Sequence, residues 1–475
     1  MSHDGLNRRA FLRNAGMTAL AGAVGSGTSF AGPLAVAGAG LAAANGTFDF
    51  DTPYNRFGTD STKYDQQIRV FGKDSVQVGM GIADMDFKVA PAITKALMER
   101  IQHENWGYLD MGGTLGKSMN EHIVSWNKKR YGITVNPESV VMTTGVHPGI
   151  VATLRAFCPI GSKVLLNTPT YNGFYGDLTA TKTVAEEVPM RLVNGRYSID
   201  FDEFERHISG DTNAYILCNP QNPTGNTWSQ EDLLKLGEIC LKHRVVVLAD
   251  EIHCDFVQKG QKYTAFATLP DKAIVNNSIT FKAASKSFGL AAMKCAWFFS
   301  TNPSFMERIK PYNRADLTTL GIVSSHAAYT GGEDWLNQCV EYIDGNHDFV
   351  DQYVAANIPM IKCVKPQGTY LQWLDVSAIA DKIGAKDMAA EANKKAESSA
   401  GGRGRGAGVT PETMVERYLV RHAKVHLNQG ASYGLGGQNH MRMNIATSRK
   451  TLEVALNNLA NALKNPSPDR TLLNE

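Results

Sequence analysis

Between about residues 90 and 330 the chain alternates two kinds of hydrophobic spacing. Stretches with apolar residues every three or four positions read as helices, and they separate short runs rich in β-branched residues that read as strands. The runs are SVVMTT (139–144), SKVLLN (162–167), NAYILC (213–218), RVVVLA (244–249) and NSITF (277–281). Several lack polar alternation, the pattern of strands covered on both faces. The spacing therefore predicts βαβ units around a mostly parallel sheet flanked by helices, an α/β fold. In open α/β sheets ligands bind beyond the carboxyl ends of the strands. Gly145, Thr170-Tyr171, Asn219-Pro220, Asp250-Glu251 and Lys286 follow the five runs in turn, so polar and aromatic groups converge on one edge.

The pattern changes after residue 335, where a long helical stretch leads to the strand-like VKPQGTYLQWLDV and the chain ends on the periodic helix TLEVALNNLANALKN. These elements predict a smaller α+β domain over 331–475, beside a large ligand-binding domain over 91–330 and an amino-terminal segment, 45–90, that joins the small domain. Within the small domain EANKKAESSAGGRGRGAGVTPET is of low complexity, and about 385–412 is expected to be a mobile surface insertion.

Composition adds exclusions. The 475 residues are 43% hydrophobic and 20% charged, and the net charge of +2 resides in the amino terminus, where Arg8, Arg9 and Arg13 face only Asp4. A balanced body carries no electrostatic footprint for nucleic acid. Seven cysteines without a CxxC spacing argue against a disulfide framework or a zinc site, and they read as small core residues. LNRRAFLRNAGMTALAGAVGSG, followed by small-residue sites at Ala35-Val36-Ala37 and Ala42-Ala43-Ala44, resembles a twin-arginine signal over 1–44. It implies the twin-arginine export machinery as a partner and a periplasmic or secreted mature protein without a membrane span.

The convergent groups fit one ligand. Lys286 in FKAASKSFGLAAMKCAW is a cation in an apolar setting, which suits an amine of lowered pKa. Asp250 in VLADEIHCDF ends a buried strand and would be tolerated there if it paired with a protonated pyridine nitrogen. Asn222 in CNPQNPTGNTW could donate to a phenolate oxygen. TTGVHPGIVATL runs through Gly145 into a helix start that can cradle a phosphate, helped by Thr144, with Lys294 as a further cation. Aldehyde, phenolate, ring nitrogen and phosphate all have partners, so the expected cofactor is pyridoxal 5'-phosphate.

NPQNPTG, ADEIH and ASKSFGLAAMKC, in this order, resemble the fold-type I pyridoxal-phosphate enzymes of the class I/II aminotransferase superfamily. GIADMDFKVAPAI, WGYLDMGG, DEIH and PQGTYLQWLD resemble its C–S β-lyase subgroup, which includes bacterial cystathionine β-lyases. The resemblance implies that Lys286 is the Schiff-base lysine and proton shuttle, and that Asp250 holds the pyridinium. It places Asn222 on the phenolate oxygen with His253 nearby, Tyr171 on the ring, and Thr144, Gly145, Val146 and Lys294 on the phosphate. Tyr108 would reach the phosphate from the partner subunit of a homodimer, and Arg442 would clamp the substrate α-carboxylate.

Three positions depart from the family pattern. Ala283 stands where a phosphate-binding serine is usual, Gly81 where the lyases commonly have tryptophan, and Asn428-Gln429-Gly430 lacks the usual proline. Gly81 implies room for a larger substrate, and export fits poorly with methionine synthesis. The reading from sequence is a periplasmic aminotransferase acting on an amino acid or amino-acid-like compound. The alternatives are a C–S β-lyase and, more remotely, a cofactor-binding regulator without turnover.

Overall fold

The strand-forming runs pair into a seven-stranded sheet ordered Val141–Thr143, Ala296–Phe299, Ser278–Lys282, Val246–Asp250, Thr212–Cys218, Lys163–Thr168 and Val184–Pro189. Pairing is parallel from Ser278–Lys282 through Val184–Pro189, and Ala296–Phe299 runs antiparallel to both its neighbours. This is the mostly parallel, helix-flanked α/β sheet expected from the sequence. The computed structural model describes residues 46–399 and 408–474, so the arginine-led signal read over 1–44 lies outside the described residues. Among the described residues no helix is long and apolar enough to cross a membrane.

Alternation along the buried strands explains why both faces are covered. Leu166, Ile216 and Leu248 meet Ile150 and Leu154 of the helix Val146–Phe157 on one face. Their chain neighbours Leu165, Leu217 and Val247 meet Leu233 and Leu236 of the helix Gln230–Lys242 on the other. Successive side chains of a strand point to opposite faces, so an uninterrupted apolar run builds two cores at once. The Gln230–Lys242 helix starts where Ser229 and Asp232 satisfy each other's backbone N–H groups, a capping box.

A second sheet, antiparallel throughout, is ordered Lys362–Val364, Leu371–Asp375, His440–Asn444 and Asn428–Gln429. Helices Glu333–Asn357, Pro411–Ala423 and Arg449–Ala462 pack with it around Val350, Leu419, Met441 and Leu456. Val78–Gly79 pairs in parallel with Val425–His426, which ties the amino-terminal segment to this part of the chain.

The expected mobile insertion at about 385–412 is corrected over its first part. Ala385–Ser399 is a helix whose Ala385, Met388, Ala389 and Ala392 are buried in the same core. That is helical spacing, built from small side chains that a reading for low complexity passes over. Asn393 then bonds both backbone groups of Val409 at 2.8 Å, and Thr410 caps the next helix. Residues 400–407 lie outside the described residues.

Candidate active site

Lys286 sits in the short helical turn Ala284–Ser287, directly after the Ser278–Lys282 strand. Its amine donates to the carbonyl of Ala83 at 2.8 Å. Burial, with the Arg442 charge second, pushes its pKa down to about 8. The apolar setting read from the sequence therefore yields an amine that loses its proton far more readily than a surface lysine.

Ala83 belongs to a strap, residues 80–86, drawn tightly across the site. Arg442 donates to Gly81 O at 2.7 Å, while Asn444 donates to Ile82 O and Asp84 O, each at 2.7 Å. Tyr370 donates to the same Ala83 carbonyl as Lys286, at 3.1 Å. The far end is anchored by Asp86, which binds the fully buried Lys63 at 2.7 Å and the Tyr64 hydroxyl at 3.0 Å. A buried cation of this kind is tolerable only when paired and hydrogen-bonded, and Lys63 also donates to Asp84 O at 2.9 Å. The sequence motif GIADMDF was noticed, but the roles of Lys63, Asp86 and Tyr370 were not. Only spatial proximity reveals them.

Arg442 comes from the His440–Asn444 strand, is 3% exposed and lies over the Tyr433 ring at 5.2 Å. A second N–H donates to Asn222 Oδ1 at 3.1 Å, which commits that oxygen and leaves the Asn222 Nδ2 hydrogens as its donors. Asp250 is buried at the end of its strand. One oxygen accepts the Ile252 N–H at 3.1 Å, and among the described residues no cation pairs with it. Burial raises its pKa to about 6. His253, 2% exposed, is kept neutral by burial and then by the charges of Lys286 and Arg442, and among the described residues its Nδ1 has no hydrogen-bond partner.

Tyr171 follows the Lys163–Thr168 strand and lies within electrostatic reach of Arg442 and Asp250. Its hydroxyl is 3.3 Å from His147 Nε2, while His147 Nδ1 is 2.7 Å from Asp177. Neither His147 nor Asp177 was singled out in the sequence, although His147 stands in the quoted TTGVHPGI. Thr144 and Gly145 form the junction into the Val146–Phe157 helix, whose first backbone N–H groups, at Val146 and His147, are open to an anion.

Two expected residues are not drawn into this cluster. Lys294 is exposed beyond the Ala291–Met293 turn and reaches Lys286 only through its charge. Tyr108 is fully exposed.

The departures from the family pattern have local explanations. Ala283 occupies the position before the Lys286 turn and supplies no capping hydroxyl. Gly430 is required by backbone, because a Cβ there would lie 2.2 Å from Gly437 O. Gly81 does not leave empty space, which corrects the expectation of extra room. A Cβ at 81 would lie 2.5 Å from His426 Cε1, and that imidazole is held by Glu416 at 3.1 Å. Gly81→Ala is accordingly expected to lower stability by about 1–3 kcal/mol. Adding His426→Ala should recover most of that loss in a thermal-melt double-mutant cycle, and additive losses would show that the two sites do not touch.

The residues present fit pyridoxal phosphate. A lowered-pKa amine, an unpaired buried carboxylate, an oriented amide donor and an open helix start surround orphaned polar atoms, among them His253 Nδ1, Thr170 Oγ1 and Arg442 Nε. Comparison with known proteins points the same way. The model of the family described as aminotransferase class I and II matches residues 75–459. The cystathionine beta-lyase PatB of Bacillus subtilis is 33% identical over 420 residues, covering 87% of this chain and 100% of that protein. The pyridoxal-phosphate-bound C–S lyase from Staphylococcus hominis superposes with a TM-score of 0.75 at 26% identity, covering 90% of this chain and 100% of its own. Cystalysin from Treponema denticola, which contains a pyridoxal 5'-phosphate cofactor, gives a TM-score of 0.75 at 27% identity, covering 88% and 98%.

Proposed function

The chain belongs to the class I and II aminotransferase family, and from that premise we propose that it is a carbon–sulfur β-lyase acting on an amino-acid thioether. It is a pyridoxal-phosphate-dependent enzyme. The observation that carries the finer reading is the 33% identity to a cystathionine beta-lyase along that protein's whole length. This supports elimination better than the transamination read from the sequence, and with Gly81's space filled by His426 the argument for an enlarged pocket falls away.

Bound in the site, the cofactor supplies an electron-withdrawing ring that stabilises negative charge at the substrate Cα. Asp250 would hold the ring nitrogen in its charged form. Asn222 would offer Nδ2 to the ring oxygen, and the amides at Val146 and His147 would receive the phosphate. Arg442 presents its planar fork to the substrate carboxylate, preoriented by Gly81 O and Asn222. Lys286 Nζ, with a pKa of about 8, takes the Cα proton and can return a proton to the departing sulfur. The Cβ–S bond breaks, the sulfur leaves as a thiol, and water converts the three-carbon remainder into pyruvate and ammonia. A homodimer in which Tyr108 of each chain reaches the other's phosphate would account for its full exposure. Export before action is proposed on the RR-F-L segment at Arg8-Arg9, and fractionation of the producing cell tests it.

The deciding assay supplies L-cystathionine and S-alkyl cysteines to the cofactor-loaded protein without a keto acid. Continuous release of pyruvate and thiol is expected. Consumption of one equivalent per site, no pyruvate, and turnover restored by an added keto acid would establish an aminotransferase instead.

A further inference from the structure

The side chains of His147 and Asp177 take no part in the chemistry derived above, yet their contacts are closely specified. Asp177, on the helix Gly173–Thr181, has only 8% of its side chain exposed, and a carboxylate so placed needs a partner. That partner is His147, at 2.7 Å through Nδ1. The bond turns the imidazole so that Nε2 faces the Tyr171 hydroxyl at 3.3 Å, with ring centroids 5.4 Å apart. A second observation shows that this ring pair is accommodated by design of the backbone. A Cβ at Gly173 would sit 2.5 Å from His147 Cε1 and 2.7 Å from Tyr171 Cε1, so only glycine lets both rings occupy these positions.

We propose that His147, locked by Asp177, is a positioning residue that fixes the Tyr171 ring. The proposal rests on the reading that Tyr171 and Asp250 border the cofactor. His147 bonds Asp177 from the Gly173–Thr181 helix and meets Tyr171 from the loop before it, and the charges of Asp250 at its strand end and Lys286 in the turn beyond the sheet also act on it. Burial disfavours the charged imidazole, but the hydrogen bond and charge of Asp177 outweigh it, and the pKa of His147 is raised. The His147 charge in turn acts to lower the pKa of Asp250, against the burial that raises it. Removing that charge leaves Asp250 easier to protonate, so cofactor hold is lost at a higher pH.

The test is a pH titration of pyridoxal-phosphate affinity for the apo protein, alongside kcat and KM for L-cystathionine, in His147→Phe, His147→Gln and Asp177→Asn. His147→Phe is expected to lower kcat about tenfold with KM little changed, as misplacement of a site group does. It should also move the acid limb of cofactor affinity upward by about half a pH unit. His147→Gln, which keeps a hydrogen-bond donor without the charge, should recover kcat but not the limb. Asp177→Asn should shift the limb in the same direction but less, because the Asp177 charge that raises the Asp250 pKa goes with it, and its loss of kcat carries the test if the His147 variants fold poorly. Unshifted limbs with kcat within about twofold of the parent would overturn the proposal. Failure of the parent to bind the cofactor would instead overturn the site reading, and absence of pyruvate would overturn only the reaction assigned to it.

Discussion

Lys286→Ala protein is expected to turn over about 10⁴-fold more slowly than the parent while melting at the same temperature or higher. The kinetic loss follows from the uniqueness of the amine. Lys286 has the pKa of about 8, whereas Lys294 is exposed and Lys282 is committed to Glu251 and Tyr263. At pH 7 an amine of pKa 8 is about one-tenth neutral, against less than about one part in a thousand for an ordinary lysine. The stability expectation follows from burial. The ammonium is held by one carbonyl, Ala83 O, in an environment that penalises its charge relative to water, so its removal costs the apo fold little. Steady-state pyruvate release and a thermal melt check both halves, and loss of the absorbance band of the lysine-linked cofactor should accompany the kinetic loss. Full activity in the alanine protein would remove Lys286 from the mechanism.

Asp250→Asn should cost about 10²–10³-fold in kcat, the usual effect of removing one preorganised charge partner. Asparagine keeps the shape and an oxygen for the Ile252 N–H, so the difference reports charge alone. The pH dependence separates this from a packing effect. In the apo protein the carboxyl pKa is raised to about 6, so Asp250 is ionised at pH 7 and becomes protonated as pH falls through 6. Cofactor that requires the ionised form should bind about tenfold more weakly for each pH unit below 6. The asparagine variant should bind weakly at every pH, without that limb. A variant that keeps the parent's acid limb would assign that limb to a group other than Asp250. For apo stability the sign is opposite. A raised carboxyl pKa means that the folded state gains relative stability as the pH drops through 6, because the buried charge disappears.

Much of the site was legible because its groups occupy fixed offsets from strands. Each of the five apolar runs became a strand, with ends displaced by no more than two residues, and Gly145, Tyr171, Asn222, Asp250 and Lys286 came to the predicted edge. Local pattern suffices there, since a buried parallel strand presents whatever follows it at the same rim. Contacts between distant segments were not legible. Nothing near Gly81 in the chain announces that His426 fills the space beside it, because the two meet only when Val78–Gly79 pairs with Val425–His426. The same holds for Asp177, which reaches His147 from 30 positions away. The Ala385–Ser399 helix was missed for a different reason. Its core stripe is built from alanines and one methionine, and alanine contributes little to a hydrophobic pattern while favouring helix strongly.

By itself the sequence determined the α/β class, the cofactor and which residues gather at one edge of the sheet, because these depend on periodicity and on residue types at short offsets. Tertiary structure decided how the lysine is tuned, what crosses above it and what fills the space beside Gly81. The strap meets Lys286, Arg442 and Asn444 across hundreds of positions. A pKa is set by the burial and charges that such long-range contacts create, and no local pattern encodes them.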